Sequence, residues 1–164
     1  MRLGILTGGG DCPGLNAVIR AAALRLQRSY EGHLIGFLDG WRGLIDNQTM
    51  PLDLNSIRGI LPRGGTILGT SRVDPIREAG IDKLRAAFAL HELTALLVCG
   101  GDGTLSAALT LSDEGLPIIG IPKTIDNDVA GTDYSFGFDT ALTTVVRAAD
   151  ALPTTAEGHD RLIV

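Results

Sequence analysis

An α/β fold, three layers around a mainly parallel sheet, is what this sequence predicts, on three observations. Short apolar runs recur along the chain, longer segments with helical periodicity separate them, and glycine-rich turns follow several of the runs. Runs that are apolar on both faces belong to strands covered on both sides. Their alternation with helices implies parallel strands joined by right-handed crossovers.

Taken in order, the first strand is RLGILT (2–7), and NAVIRAAALRLQR (16–28) is the helix after it. HLIGFL (33–38) is the second strand. The segment from Asp39 to Arg77 shows only one short helix, near 54–61, and otherwise reads as a long loop carrying Arg42, Arg58, Arg63, Arg72 and Arg77. A loop of that length in a compact domain is usually functional or disordered. IDKLRAAFALHE (81–92) is helical, ALLVCG (95–100) is a strand, TLSAALTLSDE (104–114) is a helix and PIIGIP (117–122) is a strand. TALTTVVRAADAL (140–152) is a helix, and RLIV (161–164) begins a last strand where the sequence stops, suggesting the first half of something longer. The whole is a Rossmann-like sandwich, in which ligands sit outside the carboxyl ends of the strands.

The 164 residues suffice for one domain with a sizeable core. Hydrophobic residues make up 45% and charged residues 20%, as in soluble globular domains, but 22 glycines exceed the usual share and point to many tight turns. A net charge of −5 disfavours nonspecific binding to nucleic acid or anionic membranes, so an anionic ligand needs a local site. The N-terminal apolar run is too short for a signal peptide or membrane span. Cys12 and Cys99 are too few for a disulfide framework and fit a reducing compartment, with the cytoplasm as the expectation. His33, His91 and His159 lack metal-ligand spacing.

Three strand-end loops carry the chemistry. TGGGDCPGLN (7–16) lets phosphate oxygens approach main-chain N–H groups at a helix N-terminus, although its spacing matches neither GxGxxG nor the P-loop, and a plain tight turn has the same composition. GGDGTL (100–105) admits a phosphate chain beside Asp102, a hard oxygen ligand for Mg²⁺; alternatively Thr104 is a helix cap and the aspartate a turn residue. In PKTIDND (122–128), Lys123, Asp126 and Asp128 follow a buried strand. A carboxylate aimed at a hydroxyl there can act as general base, and the alternative is a solvated acidic turn.

TGGGDCPGLN, DGWRGL, PRGGTILGTSR, GGDGTL, PKTIDND and GTDYSFGFDTA, in that order and spacing, resemble the N-terminal half of 6-phosphofructokinase across essentially the whole chain. GGDG alone is shared with NAD kinases and diacylglycerol kinases, whereas its combination with TIDND is specific. The resemblance implies residues 1–164 as a donor-binding domain lacking the second half of the family fold. It implies transfer of a phosphoryl group, usually from ATP with Mg²⁺, to the 1-hydroxyl of fructose 6-phosphate in a cytoplasmic homodimer or homotetramer. On the matching motifs, Gly10, Arg72, Val73, Arg77, Gly101, Asp102, Gly103 and Thr104 would bind the donor, with Asp102 on the metal. Thr124, Asp126 and Asp128 would bind the sugar, with Asp126 as the base. Arg161 matches an arginine that reaches a sugar phosphate across a subunit interface, and Trp41 falls where an aromatic often lies by the adenine or is a core residue.

In the family's common ATP-using form, the positions of Gly103 and Lys123 are both glycine; in its pyrophosphate-using form they are aspartate and lysine. This chain has one of each and resembles a mixed subgroup. Gly103 leaves space for a nucleotide's α-phosphate, and a flexible lysine can move aside, so ATP is the expected donor and pyrophosphate the alternative. Two rival readings are a kinase sharing only GGDG and a catalytically incomplete nucleotide-binding module.

Overall fold

The computed structural model describes residues 1–164. Its elements, in chain order, are β1 (Arg2–Thr7), α1 (Leu15–Tyr30), β2 (His33–Phe37), α2 (Trp41–Asp46), β3 (Thr49–Pro51) and α3 (Pro75–Leu90), then β4 (Ala95–Gly100), α4 (Asp102–Asp113), β5 (Ile118–Thr124), β6 (Phe136–Gly137), α5 (Phe138–Asp150) and α6 (Pro153–Glu157). They build one six-stranded sheet in the order β3-β2-β1-β4-β5-β6. Every pairing is parallel except that of β3 with β2. Pro51 is tolerated there because β3 is an edge strand, where a missing N–H has no ladder partner to lose.

Burial on both faces explains the apolar runs. The neighbours Ile5 and Leu6 in β1 are both fully buried, yet they belong to different cores. Ile5 packs with Leu15, Ile19, Ala23 and Leu26, the buried stripe of α1. Leu6 packs with Phe37, Trp41, Leu44, Leu84, Val98 and Leu111 on the side of α2, α3 and α4. The period of two along the strand thus feeds both layers.

The strand order reverses at β1. From β1 the chain adds β2 and β3 on one side, then returns to place β4, β5 and β6 on the other. A crevice opens outside the carboxyl ends at such a switch point. The loops after β1, β4 and β5 leave from that end.

Three expectations are corrected. Residues 54–61 form turns rather than a helix: the Asp53 carboxylate accepts from the N–H groups of Asn55 (2.9 Å) and Ser56 (2.8 Å), and Gly59 at φ +73° breaks any continuation. The span from Asp39 to Arg77 is more than loop, since it contains α2, β3 and the first turn of α3. That turn starts at Pro75 because Asp74 caps the N–H groups of Ile76 and Arg77, and Gly80 (φ +75°, ψ +161°) separates it from the helix that periodicity reveals. Residues 161–164 are not a strand. No strand lies beside them to supply hydrogen bonds, and Leu162 is 90% exposed.

Candidate active site

The loop after β1 is stitched to the stretch that precedes Arg72. Gly9 donates its N–H to the Ser71 carbonyl (3.0 Å) and the Thr7 hydroxyl donates to the Gly69 carbonyl (2.7 Å), while Gly8 donates to the Cys99 carbonyl of β4 (2.8 Å) and holds the loop to the sheet. From the start of α1, the buried Asn16 reaches the same stretch. Its Nδ2 donates to the carbonyls of Arg63 (3.0 Å) and Gly64 (3.2 Å), and its Oδ1 accepts from the N–H of Ile67 (2.8 Å). These bonds carry the arginine-bearing segment across to the glycine loop.

The second loop sits against the first through Thr104. A Cβ on Gly8 would lie 2.8 Å from the Thr104 side chain, and one on Gly100 would lie 2.4 Å from it. Neither distance is tolerable for real carbon atoms, so only glycine lets the two turns close on this buried threonine. Thr104 is therefore a packing residue in the first turn of α4 and not its cap, a position held by Gly101.

From the third loop, Lys123 comes in buried, 4% exposed, and its Nζ donates to the main-chain carbonyl of Gly10. The Thr124 hydroxyl donates to Asp128 Oδ1 (2.9 Å) and accepts from the Asp126 N–H (3.2 Å). Both aspartates are exposed to solvent.

All three loops line one open cleft of about 930 Å³. Gly10, Arg72, Val73, Arg77, Gly101, Asp102, Gly103, Thr104, Lys123, Thr124 and Asp126 are on its wall. Asp128 is not, although it is tied to Thr124. Arg161 lies outside the cleft in the exposed terminal segment, where its N–H donates to the Ala156 carbonyl (2.9 Å). Of the two readings of Trp41 the structure favours the core residue: 1% exposed, it packs with Leu44 and Phe37, and its indole N–H has no partner. Arg42 pairs with Glu78 on the surface (2.7 Å). Further wall residues are Asp11, Ser71, Asp74, Ser106 and Thr110. Ser106 and Thr110 were legible as wall residues, since they follow Asp102 at intervals of four on the same helix face.

The cleft wall brings together Gly9, Gly10, Gly101 and Gly103, the cationic residues Arg72, Arg77 and Lys123, and the acidic residues Asp102 and Asp126. That mixture suits a polyanion bound beside a proton acceptor. The sequence profile described as Phosphofructokinase matches residues 2–164. The chain belongs to the phosphofructokinase family.

Two curated relatives from Streptomyces coelicolor differ in the donor that their names state. ATP-dependent 6-phosphofructokinase 3 is 54% identical over 166 residues, covering 100% of this chain and 48% of its own length. Pyrophosphate–fructose 6-phosphate 1-phosphotransferase is 52% identical over 166 residues, with the same coverage. The chain spans about half the length of the curated relatives it matches. A crystal structure of the Pichia pastoris phosphofructokinase in the T-state is similar with a TM-score of 0.83 and 32% identity, covering 94% of this chain and 18% of that one.

The family's use of Mg²⁺ can be tested against the donor set. No group of three or more His, Cys, Asp or Glu side chains is arranged to enclose an ion. Asp102 nevertheless stands exposed on the cleft wall in the first turn of α4. Mg²⁺ usually keeps several of its waters and is held by one or two carboxylates together with substrate phosphates, so a single carboxylate on the wall of an open cleft fits it. Neither thiol is on the cleft wall. Burial pushes Cys99 up to about 12 and raises Cys12 above its ordinary value despite the nearby Lys123 ammonium.

Proposed function

We propose that this phosphofructokinase chain binds ATP through the first two loops and delivers the γ-phosphoryl group to the 1-hydroxyl of fructose 6-phosphate, giving fructose 1,6-bisphosphate. The observation that supports it is the convergence of three turns, distant in sequence, on one cleft. In this reading Gly10, Gly101, Gly103 and Thr104 receive the donor phosphates, and Arg72 and Arg77 neutralise them, with Val73 beside them. Asp102 would hold Mg²⁺, which supplies charge neutralisation across the phosphate oxygens. Asp126 takes the proton of the accepting hydroxyl, an effect worth roughly 10²–10⁴ in rate. Thr124 and Asp128 support the sugar, and Arg161 serves a neighbouring subunit of a homo-oligomer. The setting is cytoplasmic glycolysis.

ATP is favoured over pyrophosphate by Gly103, around which an added Cβ would meet nothing within 4 Å, leaving room for the longer donor. Pyrophosphate is the second reading, favoured by the buried Lys123 ammonium, whose sole protein hydrogen bond leaves two protons free for a phosphate. The test is a steady-state assay of the full-length protein with fructose 6-phosphate and Mg²⁺, comparing the two donors. A higher kcat/KM with ATP is expected. A higher value with pyrophosphate reverses the donor assignment, and turnover with neither removes the proposal.

A further inference from the structure

Asp126 and Asp128 are both exposed, and packing alone does not hold the loop that carries them; between residues 125 and 134 only Val129 is buried. What fixes the loop is a polar staple centred on Asn127. This residue sits in the left-handed region at φ +55°. Its Oδ1 accepts the N–H of Ser135 (2.8 Å). Ser135 is buried, 6% exposed, and its hydroxyl donates back across the loop to the Thr124 carbonyl (3.0 Å). A hydroxyl has one proton, so the longer approach of Ser135 Oγ to Asn127 Oδ1 (3.3 Å) is the lesser bond. The next residues, Phe136 and Gly137, pair with Lys123 and Thr124 in the sheet.

The loop is thus closed by a ring of contacts: Thr124 to Ser135, Ser135 to Asn127, and Asn127 to its neighbour Asp126, whose N–H returns to Thr124. We infer that Asn127 and Ser135 are positioning residues that hold the Asp126 carboxylate at the acceptor hydroxyl, so that they act on the phosphoryl-transfer step and not on donor binding. This rests on Asp126 being the general base. Neither residue lines the cleft, so any effect reaches the chemistry through the loop.

The experiment uses the full-length protein, four single variants and one double variant. Asn127→Gly retains the positive φ without strain while deleting the side-chain bonds. It is expected to lower kcat by about 10- to 100-fold, the range in which a misplaced group acts, with the donor KM moving less than about twofold. Ser135→Ala is expected to show a smaller loss of the same kind, and Ser135→Thr, which keeps the hydroxyl, to restore most of it. In an Asp126→Ser background, Asn127→Gly should cost nothing further, because the group it positions is gone. Equal losses in kcat and donor affinity, or a full further loss in that background, overturn the inference. If Asp126→Ser alone retains turnover, the base assignment fails instead. If Asp126→Ser is nearly inactive while Asn127→Gly and Ser135→Ala are normal, only the positioning role falls.

Discussion

Lys123 Nζ donates to the carbonyl of Gly10, joining the end of β5 to the glycine loop after β1. A buried ammonium with one protein acceptor carries a desolvation cost that the bond only partly offsets.

Lys123→Met keeps the aliphatic stem and removes the charge. Thermal unfolding should show a Tm no lower than that of the parent, because an apolar group replaces an underpaired ion. The donor KM should rise by about tenfold, the loss of one charge-assisted bond, while the KM for fructose 6-phosphate stays near its original value. A drop in Tm with unchanged donor affinity would assign the lysine to structure.

Gly103→Asp tests donor choice. The backbone has space for the side chain, and an acidic residue replacing glycine in the first turn of a helix is favourable by about 1 kcal/mol. Stability should therefore hold or increase while ATP turnover falls by at least about tenfold from charge repulsion, with pyrophosphate use affected less. Denaturant melts combined with two-donor kinetics read both effects.

Both thiols should be inert in the folded chain. Cys99 is fully buried with its pKa pushed up to about 12, and Cys12 is buried and raised, so neither presents thiolate near neutral pH. A disulfide-exchange reagent at neutral pH should label them only after denaturant is added. Rapid labelling of Cys12 in native protein would mean that the loop after β1 opens readily.

His91 predicts one pH dependence. Its imidazole packs edge-on against Phe37 and lies 3.1 Å from Asn47 Oδ1; burial first, and the Arg2 cation second, hold its pKa below the ordinary 6.5. The folded state thus favours the neutral ring. Its contribution is complete above 6.5 and is lost as pH falls from there through the depressed folded value. Urea midpoints of the parent should decline across that interval, and His91→Gln should flatten the decline. An unchanged slope in the variant would assign it to other groups.

Much of this is legible before folding because of what burial demands. β1, β2 and β4 are covered on both faces over most of their length, so their inner residues are apolar and stand out from polar surroundings; β5 has the same apolar run, although Ile119 on it is 53% exposed. The wall of the cleft is legible because phosphate binding at a strand end needs glycines and an acid in a fixed order. α2 is not, since six residues give no period, and Gly43 sits within it where a Cβ would be 2.0 Å from the Leu38 carbonyl oxygen. RLIV misleads because composition shows strand propensity and not whether a partner lies alongside. The Asn127–Ser135 staple is invisible for a related reason: an asparagine between two aspartates looks like one more solvated polar residue until its left-handed backbone and the serine eight positions on are seen together.

The mutual fit of Gly8, Gly100 and Thr104 sets a rule for loop transplantation. Exchanging the first glycine turn for one with a side chain at position 8, while leaving the second turn and its threonine in place, would force atoms together. The two turns travel as a set with residue 104, and a chimaera respecting that unit should fold where a single-turn graft does not.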